Sequence, residues 1–138
     1  MMPSGSSEIG VLVVDDQAPF RRIVRDVVAA TAGFELVGEA SSGPEALGAA
    51  AAVGPDLVLV DVRMPVMDGV ETSRRLRAAR PEAVVVLISA DERRDLPDGV
   101  ETCGAAMLAR KQDFGPLALR RLWADHGRRD SPRALVAE

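Results

Sequence analysis

The sequence has almost none of the residues that build disulfides or soft-ligand metal sites. Of its 138 residues, one is a cysteine, Cys103, and one is a histidine, His126. A single cysteine cannot form an intramolecular disulfide, and this pair cannot supply the several ligands of a Cys/His metal site. We interpret Cys103 as an ordinary packing residue, because free cysteine is commonly buried.

The chain also lacks long apolar runs and a basic excess. Its apolar runs, such as residues 83–88, fall far below the roughly 20 residues that a membrane-spanning helix needs. There are 17 basic and 21 acidic residues, for a net charge of -4, which argues against a general nucleic-acid binder. Residues 1–7 carry neither the basic region nor the apolar stretch of a secretory signal. We therefore expect a cytoplasmic protein that binds neither membranes nor nucleic acids directly.

What the sequence does contain is five short, β-branched apolar segments, separated by segments of helical periodicity. The apolar segments are residues 9–14, 34–39, 56–60, 84–89 and 106–109. Strands that are apolar on both faces belong in a parallel sheet covered by helices on both sides. Right-handed crossovers then predict an α/β fold of the (βα)5 type, a doubly wound, flavodoxin-like, five-stranded parallel sheet of order 2-1-3-4-5.

Local signals predict where the helices lie. Ser42 and Glu45 form the S-x-x-E capping pattern before the second helix, and Asp68 offers an acidic cap for the third. The helical periodicity after the first strand is carried by Ile23, Val24, Val27 and Val28. The last helix is predicted over about residues 112–126, with a buried face made by Phe114, Leu117, Ala118, Leu122 and Trp123.

The repeated strand and helix pattern occupies residues 8–126, which we interpret as one domain. Residues 1–7 and 127–138 fall outside it. Their glycine, serine, proline and mixed charge are typical of mobile termini, so we expect a flexible tail at each end.

Polar side chains stand at the ends of four of the predicted strands. Asp15 and Asp16 follow the first strand, Asp61 the third, Ser89 ends the fourth, and Lys111 comes just after the fifth. In an open parallel sheet the ligand crevice lies beyond the carboxyl ends of the strands, where the strand order reverses. The four strands are adjacent in the predicted order, so we expect these five side chains to converge at one edge.

Three carboxylates in one pocket need a cation. A pair of like charges 4 Å apart costs about 4 kcal/mol at an effective dielectric constant of 20. Lys111 offsets part of this, and oxygen ligands without histidine or cysteine favour Mg²⁺ or a similar ion such as Mn²⁺. The pattern predicts a metal-assisted phosphate site around one nucleophilic carboxylate. The simpler interpretation, that an acidic residue such as Asp16 only caps a helix, leaves the joint placement with Ser89 and Lys111 unexplained.

With these residues in place, the sequence resembles the receiver domain of bacterial two-component response regulators, of the stand-alone chemotaxis type. The matching stretches are VLVVDD (11–16), DVRMPVMDG (61–69), ISA (88–90) and GA (104–105) leading to Lys111. The resemblance implies that a sensor histidine kinase or a phosphotransfer protein donates a phosphoryl group to Asp61, with Mg²⁺ required. It also implies that Asp16 contacts the metal directly, Asp15 mainly through water, and Arg63 through its backbone carbonyl.

The remaining residues of the site have roles that suit phosphoryl transfer, which depends mostly on positioning and charge stabilisation. Lys111 would act as a point charge on the phosphoryl oxygens, and Ser89 as a neutral donor that moves toward the new phosphoryl group. Pro65 and Gly69 would make the loop after Asp61 partly fixed and partly free to turn. Their chemistry is equally compatible with merely connecting the third strand to the third helix. Such a domain accepts and loses its own phosphoryl group and is not a turnover enzyme.

The sequence departs from the receiver pattern in the region that transmits the signal. Receivers carry an aromatic switch residue on the fifth strand, whereas this chain has Leu108 there and no tyrosine at all. The segment 91–102 should hold the fourth helix, but Pro97 and Gly99 disfavour a helix by about 3 and 1 kcal/mol. We predict that this helix is short, late or irregular, and that any switch works by packing other than a rotating ring.

Several functions remain compatible with the sequence. The first is a single-domain receiver that signals by binding an unknown downstream protein, with a weak homodimer as a further candidate assembly. The second is a receiver-like scaffold whose binding does not depend on phosphate, and the third is a receiver fragment of a DNA-binding response regulator. An aspartyl-phosphate phosphatase is disfavoured because Arg63 stands where it needs a second carboxylate, and a flavodoxin-like cofactor binder because no phosphate loop follows the first strand.

Overall fold

The computed structural model describes residues 8–90 and 95–127. Within these ranges five strands and four α-helices follow one another, in the order β1 (Ile9–Val14), α1 (Ala18–Ala29), β2 (Phe34–Ala40), α2 (Gly43–Val53), β3 (Leu57–Asp61), α3 (Gly69–Ala79), β4 (Val84–Ser89), β5 (Met107–Arg110) and α4 (Pro116–His126). A short 3-10 turn, Lys111–Asp113, joins β5 to α4. The predicted tails lie outside the described residues, except for Gly127.

The five strands form one parallel sheet in the order β2-β1-β3-β4-β5, which confirms the predicted topology. Asp61 pairs with Ile88, and Ser89 pairs with Arg110. The register shifts between Val11 and Leu12, so β2 carries a bulge where it pairs with β1. The ends of β1, β3, β4 and β5 therefore meet at one edge of the sheet.

The core has two halves, one on each face of the sheet. Because successive side chains of a strand point to opposite faces, alternate residues of β1 and β3 enter different clusters. Leu12, Val14, Val58 and Val60 pack against α2 and α3, whereas Val11, Val13, Leu57 and Leu59 pack against α1 and α4. Strands buried on both faces explain why the sequence shows continuous apolar runs rather than alternation.

Two helices begin at the predicted caps. The Ser42 hydroxyl accepts a hydrogen bond from the Glu45 N–H at 3.2 Å, and the Asp68 carboxylate accepts one from the Glu71 N–H at 2.9 Å. The Glu45 carboxylate turns back to the Ser41 N–H at 2.7 Å. Each side chain satisfies a backbone donor that the first turn of a helix leaves free.

The prediction for the last helix was wrong in its start and in part of its buried face. Leu122 is buried, and Phe114 and Trp123 pack against the core as predicted. Phe114 is extended, with φ -80° and ψ 129°, so the 3-10 turn does not continue into α4. The helical period restarts at Pro116, which leaves Leu117 62% exposed and buries Leu119 completely. In α1 the predicted periodicity is confirmed for Val24 and Val28, which are buried, and for Val27, which packs against the core. Ile23 is 48% exposed instead, and Phe20 is buried.

The connection from β4 to β5 contains no α-helix in its described part, residues 95–106. Gly99 has a φ of +93°, a backbone conformation that favours glycine. Leu96 and Val100 pack against the α2 and α3 side of the core, and Cys103 is buried as expected. The predicted irregularity is therefore confirmed for these residues, while residues 91–94 of the predicted segment lie outside the described ranges.

Candidate functional site

Three carboxylates meet at the carboxyl edge of the sheet. Asp15 follows β1 and Asp61 ends β3; both are buried, whereas Asp16 is exposed. One carboxylate oxygen of each residue lies within 4.8 Å of the other two. The structure thus brings together the three acidic residues that the sequence assigns to this edge.

Asp15 is the most constrained of the three. Its Oδ1 accepts a hydrogen bond from the Gln17 N–H at 2.8 Å, and its backbone carbonyl accepts one from the Arg21 guanidinium at 2.7 Å. Gln17 is the N-cap of α1, so the carboxylate that joins the start of this helix belongs to Asp15. The alternative that Asp16 only caps α1 is wrong.

Lys111 provides the positive charge of the site. Its ammonium Nζ lies 2.7 Å from Asp15 Oδ2 and 3.6 Å from Asp61 Oδ2. It also lies over the ring of Phe20, 4.7 Å from the ring centroid. The side chain is 18% exposed, so the ammonium is partly shielded from water and interacts more strongly with its neighbours than it would at an open surface.

The pKa of Asp61 is raised to about 6. Burial is the main cause, since it disfavours the charged form, and the Asp15 charge acts in the same direction. The Lys111 ammonium and a hydrogen bond from the Arg63 backbone oppose this rise, and Asp16 adds a smaller repulsion. The ionised form of Asp61 therefore destabilises the folded protein when no metal is bound.

This cost should make the metal-free protein less stable as the pH rises. The pKa of Asp61 in the folded protein lies above the ordinary 3.8. Protonated Asp61 therefore contributes fully to folding stability below pH 3.8, and this contribution is lost as the pH rises through about 6. From pH 4 to pH 7, Asp61→Asn should therefore gain about 1 kcal/mol of stability relative to the wild type. Urea unfolding at both pH values measures the difference, and saturating Mg²⁺ should reduce it. A wild type that gained stability relative to the variant would contradict the sign.

The other candidate residues surround this cluster. Ser89 is buried and follows Ile88, the partner of Asp61 in the sheet. The Arg63 side chain is exposed, and its guanidinium donates a hydrogen bond to the Asp95 carbonyl. Leu108 pairs with Leu87 and packs, half-buried, on the α2 and α3 side of the core. The hydrogen bond between Arg63 and Asp95 links the loop after β3 to the connection between β4 and β5.

Gly69 holds the loop after Asp61 close to the strand. A Cβ atom at this position would lie 2.2 Å from the Asp61 carbonyl oxygen and 2.8 Å from the Val62 Cα. The Gly69 N–H donates a hydrogen bond to the Val62 carbonyl at 2.8 Å. The φ angle of Gly69 is not positive, whereas that of Val66 is +71°. The expectation that Gly69 gives freedom to turn is wrong, because its role is close approach of two backbone segments.

Two residues beside the site were missed in the sequence, Phe20 and Arg21. Phe20 stands four residues before Val24 and eight before Val28, which are both buried, so the i, i+4 spacing was the available signal. Arg21 forms an ion pair with Glu39 at 3.4 Å in addition to its bond with the Asp15 carbonyl. No sequence pattern indicates that contact.

The donor set fits a hard divalent cation. It consists of carboxylate oxygens, which Mg²⁺ prefers. Asp15 Oδ2 is buried, and the Lys111 ammonium lies 2.7 Å from it. One ammonium does not balance three carboxylates, and a divalent cation shared by Asp15, Asp16 and Asp61 would offset the rest of their repulsion.

A comparison with protein families decides the identity of the chain. The model of the response regulator receiver domain matches residues 11–114. The chain belongs to this family. The matched range includes all five polar residues of the predicted site. Receiver domains bind Mg²⁺ at an acidic pocket and interact with histidine kinases or phosphotransfer proteins.

Similar proteins include receivers from several kinds of regulator. A protein-glutamate methylesterase/protein-glutamine glutaminase of Halalkalibacterium halodurans is 36% identical over 118 residues, which are 82% of this chain and 33% of that protein. The response regulator GacA of Pseudomonas viridiflava is 39% identical over 98 residues, 71% of this chain and 46% of that protein. This receiver thus spans less than half of the curated relatives it matches.

Solved structures agree with the fold. The signal receiver domain of the putative response regulator NarL from Mycobacterium tuberculosis has a TM-score of 0.77 and 31% identity, and covers 86% of this chain and 95% of that one. The response regulator domain of Thermotoga maritima CheB has a TM-score of 0.68 and 26% identity, with 86% and 90% covered. In the described part of this receiver, no helix is long and apolar enough to cross a membrane.

Proposed function

We propose that this receiver accepts a phosphoryl group on Asp61, with Mg²⁺ held by Asp15, Asp16, Asp61 and the backbone carbonyl of Arg63. The observation that supports this most is the arrangement of charges. Asp61 and Asp15 are both buried, and the Lys111 ammonium lies within 3.6 Å of each. Two carboxylates exposed to water would not need a neighbouring cation, because water would screen their repulsion.

The reaction would form one bond and break another. An oxygen of the Asp61 carboxylate attacks the phosphorus atom of a phosphohistidine, the P–N bond breaks, and the imidazole leaves with the electron pair. The nucleophile has a raised pKa of about 6, so it is mainly ionised at neutral pH and more basic than an ordinary aspartate. A bound Mg²⁺ supplies neutralisation of the charge on the phosphoryl oxygens.

Lys111 and Ser89 would stabilise the product. The ammonium of Lys111 is 3.6 Å from Asp61 Oδ2, close enough to contact a phosphoryl oxygen bonded to this carboxylate. Ser89 is buried beside the same strand end, and its hydroxyl can donate to another phosphoryl oxygen without adding charge. A backbone donor is already present, since the Arg63 N–H bonds the Asp61 carboxylate.

The phosphoryl donor would be a sensor histidine kinase or a phosphotransfer protein in the cytoplasm. The output would be binding of a downstream protein, without turnover of a separate substrate. Leu108 and the helix-free residues 95–106 favour a switch that repacks this face rather than one that rotates a ring. Residues 8–126 would form the functional domain.

A second candidate is the regulatory part of a longer protein. The length of the relatives favours it, since the matched residues are 33% of the methylesterase and 46% of GacA. In that case the surface formed by residues 95–106 and Leu108 would bind a domain of the same chain, such as an enzyme or a DNA-binding domain.

Beryllofluoride with Mg²⁺ tests whether phosphate drives the output. This reagent mimics an aspartyl phosphate, so the amide signals of residues around Asp61 and of residues 95–110 should shift in a ¹H–¹⁵N spectrum. Chelation of the metal should reverse the shifts. Shifts confined to the acidic cluster would favour the phosphate-independent scaffold, and an unchanged spectrum would contradict the proposed site.

A further inference from the structure

The ring of Phe20 is an uncharged neighbour of the Lys111 ammonium. The ring centroid is 4.7 Å from Nζ, within the range of a cation–π interaction. Phe20 is 7% exposed and is the third residue of α1. A buried ring facing an ammonium that is 18% exposed loses little of this attraction to water.

The same ring also contacts the turn that carries the lysine. Phe20 and Phe114 have ring centroids 6.2 Å apart at an interplanar angle of 58°, a tilted contact at a distance where aromatic rings attract each other. The Phe114 N–H donates a hydrogen bond to the Lys111 carbonyl at 3.2 Å. Phe20 therefore holds both ends of Lys111, the ammonium directly and the backbone through Phe114.

Holding the ammonium matters because its carboxylate partners have a second task. Asp15 Oδ2 is 2.7 Å from Nζ, and the same residue belongs to the carboxylate cluster that fits a divalent cation. A carboxylate that neutralises a divalent cation attracts a lysine less, and the two cations repel each other. An aromatic face attracts the ammonium without a net charge, so it does not compete for the cation.

We propose that Phe20 is a positioning residue for Lys111, whose ring face keeps the ammonium between Asp15 and Asp61 during phosphoryl transfer. The role of Phe20 during phosphoryl transfer rests on the proposed function of Asp61. The contact itself does not, and it can be measured in the protein without metal or phosphate.

The first test is a double-mutant cycle on unfolding. The wild type, Phe20→Leu, Lys111→Met and the double variant are unfolded in urea with a chelator present. Leucine keeps an apolar side chain, and methionine keeps the unbranched stem of the lysine. If the ring attracts the ammonium, the coupling should be about threefold to tenfold in the unfolding equilibrium constant. Strictly additive effects would overturn the proposal.

The second test measures phosphorylation by acetyl phosphate at saturating Mg²⁺. Phe20→Leu should slow the formation of phosphorylated protein by about threefold to tenfold, and Phe20→Tyr, which keeps the ring face, should restore the rate. In the Lys111→Met background, Phe20→Leu should cause no further loss. An equal loss in both backgrounds would show that the ring acts by packing alone and would overturn the proposal.

Phe34→Leu is the matched control. Phe34 packs against the same half of the core as Phe20, but it pairs with Ile9 at the start of β1, at the opposite end of the sheet from Asp15. Its substitution should leave the phosphorylation rate unchanged, and a loss equal to that of Phe20→Leu would count against positioning.

The two tests separate failure of the proposal from failure of the proposed function. A wild type that is never phosphorylated would refute the role of Asp61, while the unfolding cycle would still decide whether the ring holds the ammonium. If Phe20→Leu does not fold, Phe20→Met replaces it in both tests, with the same expected results.

Discussion

Asp61→Asn should abolish phosphorylation of this receiver by acetyl phosphate and Mg²⁺. The amide has nearly the shape of the carboxylate but cannot act as the attacking oxygen nucleophile. The fold should persist, because the substitution removes a buried charge that Asp15 repels. Intact-mass spectrometry should show the added mass of one phosphoryl group on the wild type and none on the variant.

Asp125→Asn provides the matched control for this experiment. Asp125 is an exposed residue in the last turn of α4, so its substitution should leave the phosphoryl adduct in place. Chelation of Mg²⁺ before acetyl phosphate is added should prevent the adduct from forming on the wild type. An adduct that persisted on Asp61→Asn would place the acceptor on another residue and refute the central assignment.

Gly69→Ala should cause the largest loss of stability of any single methyl group added near the site. The new Cβ would lie 2.2 Å from the Asp61 carbonyl oxygen and 2.9 Å from its carbonyl carbon. Both atoms belong to the backbone of a buried strand, which cannot move as the end of a flexible side chain can. We expect a loss of about 2–4 kcal/mol, measured by urea unfolding, and a slower phosphorylation because Asp61 must shift.

Gly48→Ala is the corresponding control. Gly48 lies in α2, and a Cβ there would meet nothing within 4 Å. Alanine is a better helix former than glycine, so this variant should gain about 0.5–1 kcal/mol. Similar losses in both variants would mean that the close approach of Gly69 to Asp61 is not what requires glycine.

Much of the fold could be read from the sequence because each strand is apolar on both faces. Such runs are distinct in a chain, and the βα alternation then allows few topologies. The acidic cluster followed from the same logic, since Asp15 and Asp61 stand at strand ends that the strand order makes neighbours. Burial of these residues, and with it the raised pKa of Asp61, depends on the helices that cover the edge and could not be predicted.

Other features required the three-dimensional structure. Phe20 contacts Lys111 although the two residues are 91 positions apart in the chain, and no local pattern indicates such a pair. Leu117 was assigned to the buried face of α4 in place of Leu119 because the helical period was continued through Phe114, where the chain is extended. The close approach of Gly69 was missed because glycine in a loop usually indicates backbone freedom.

The two outer strands of the sheet have a consequence for behaviour at high concentration. β5 is only four residues long and ends at the exposed Arg110, and β2 contains a bulge and two glutamates, Glu35 and Glu39. Short strands, charged side chains and bulges hinder the addition of a strand from another molecule. The β-branched centre of the sheet, which would aggregate readily if it were exposed, is thus flanked by edges that resist polymerisation.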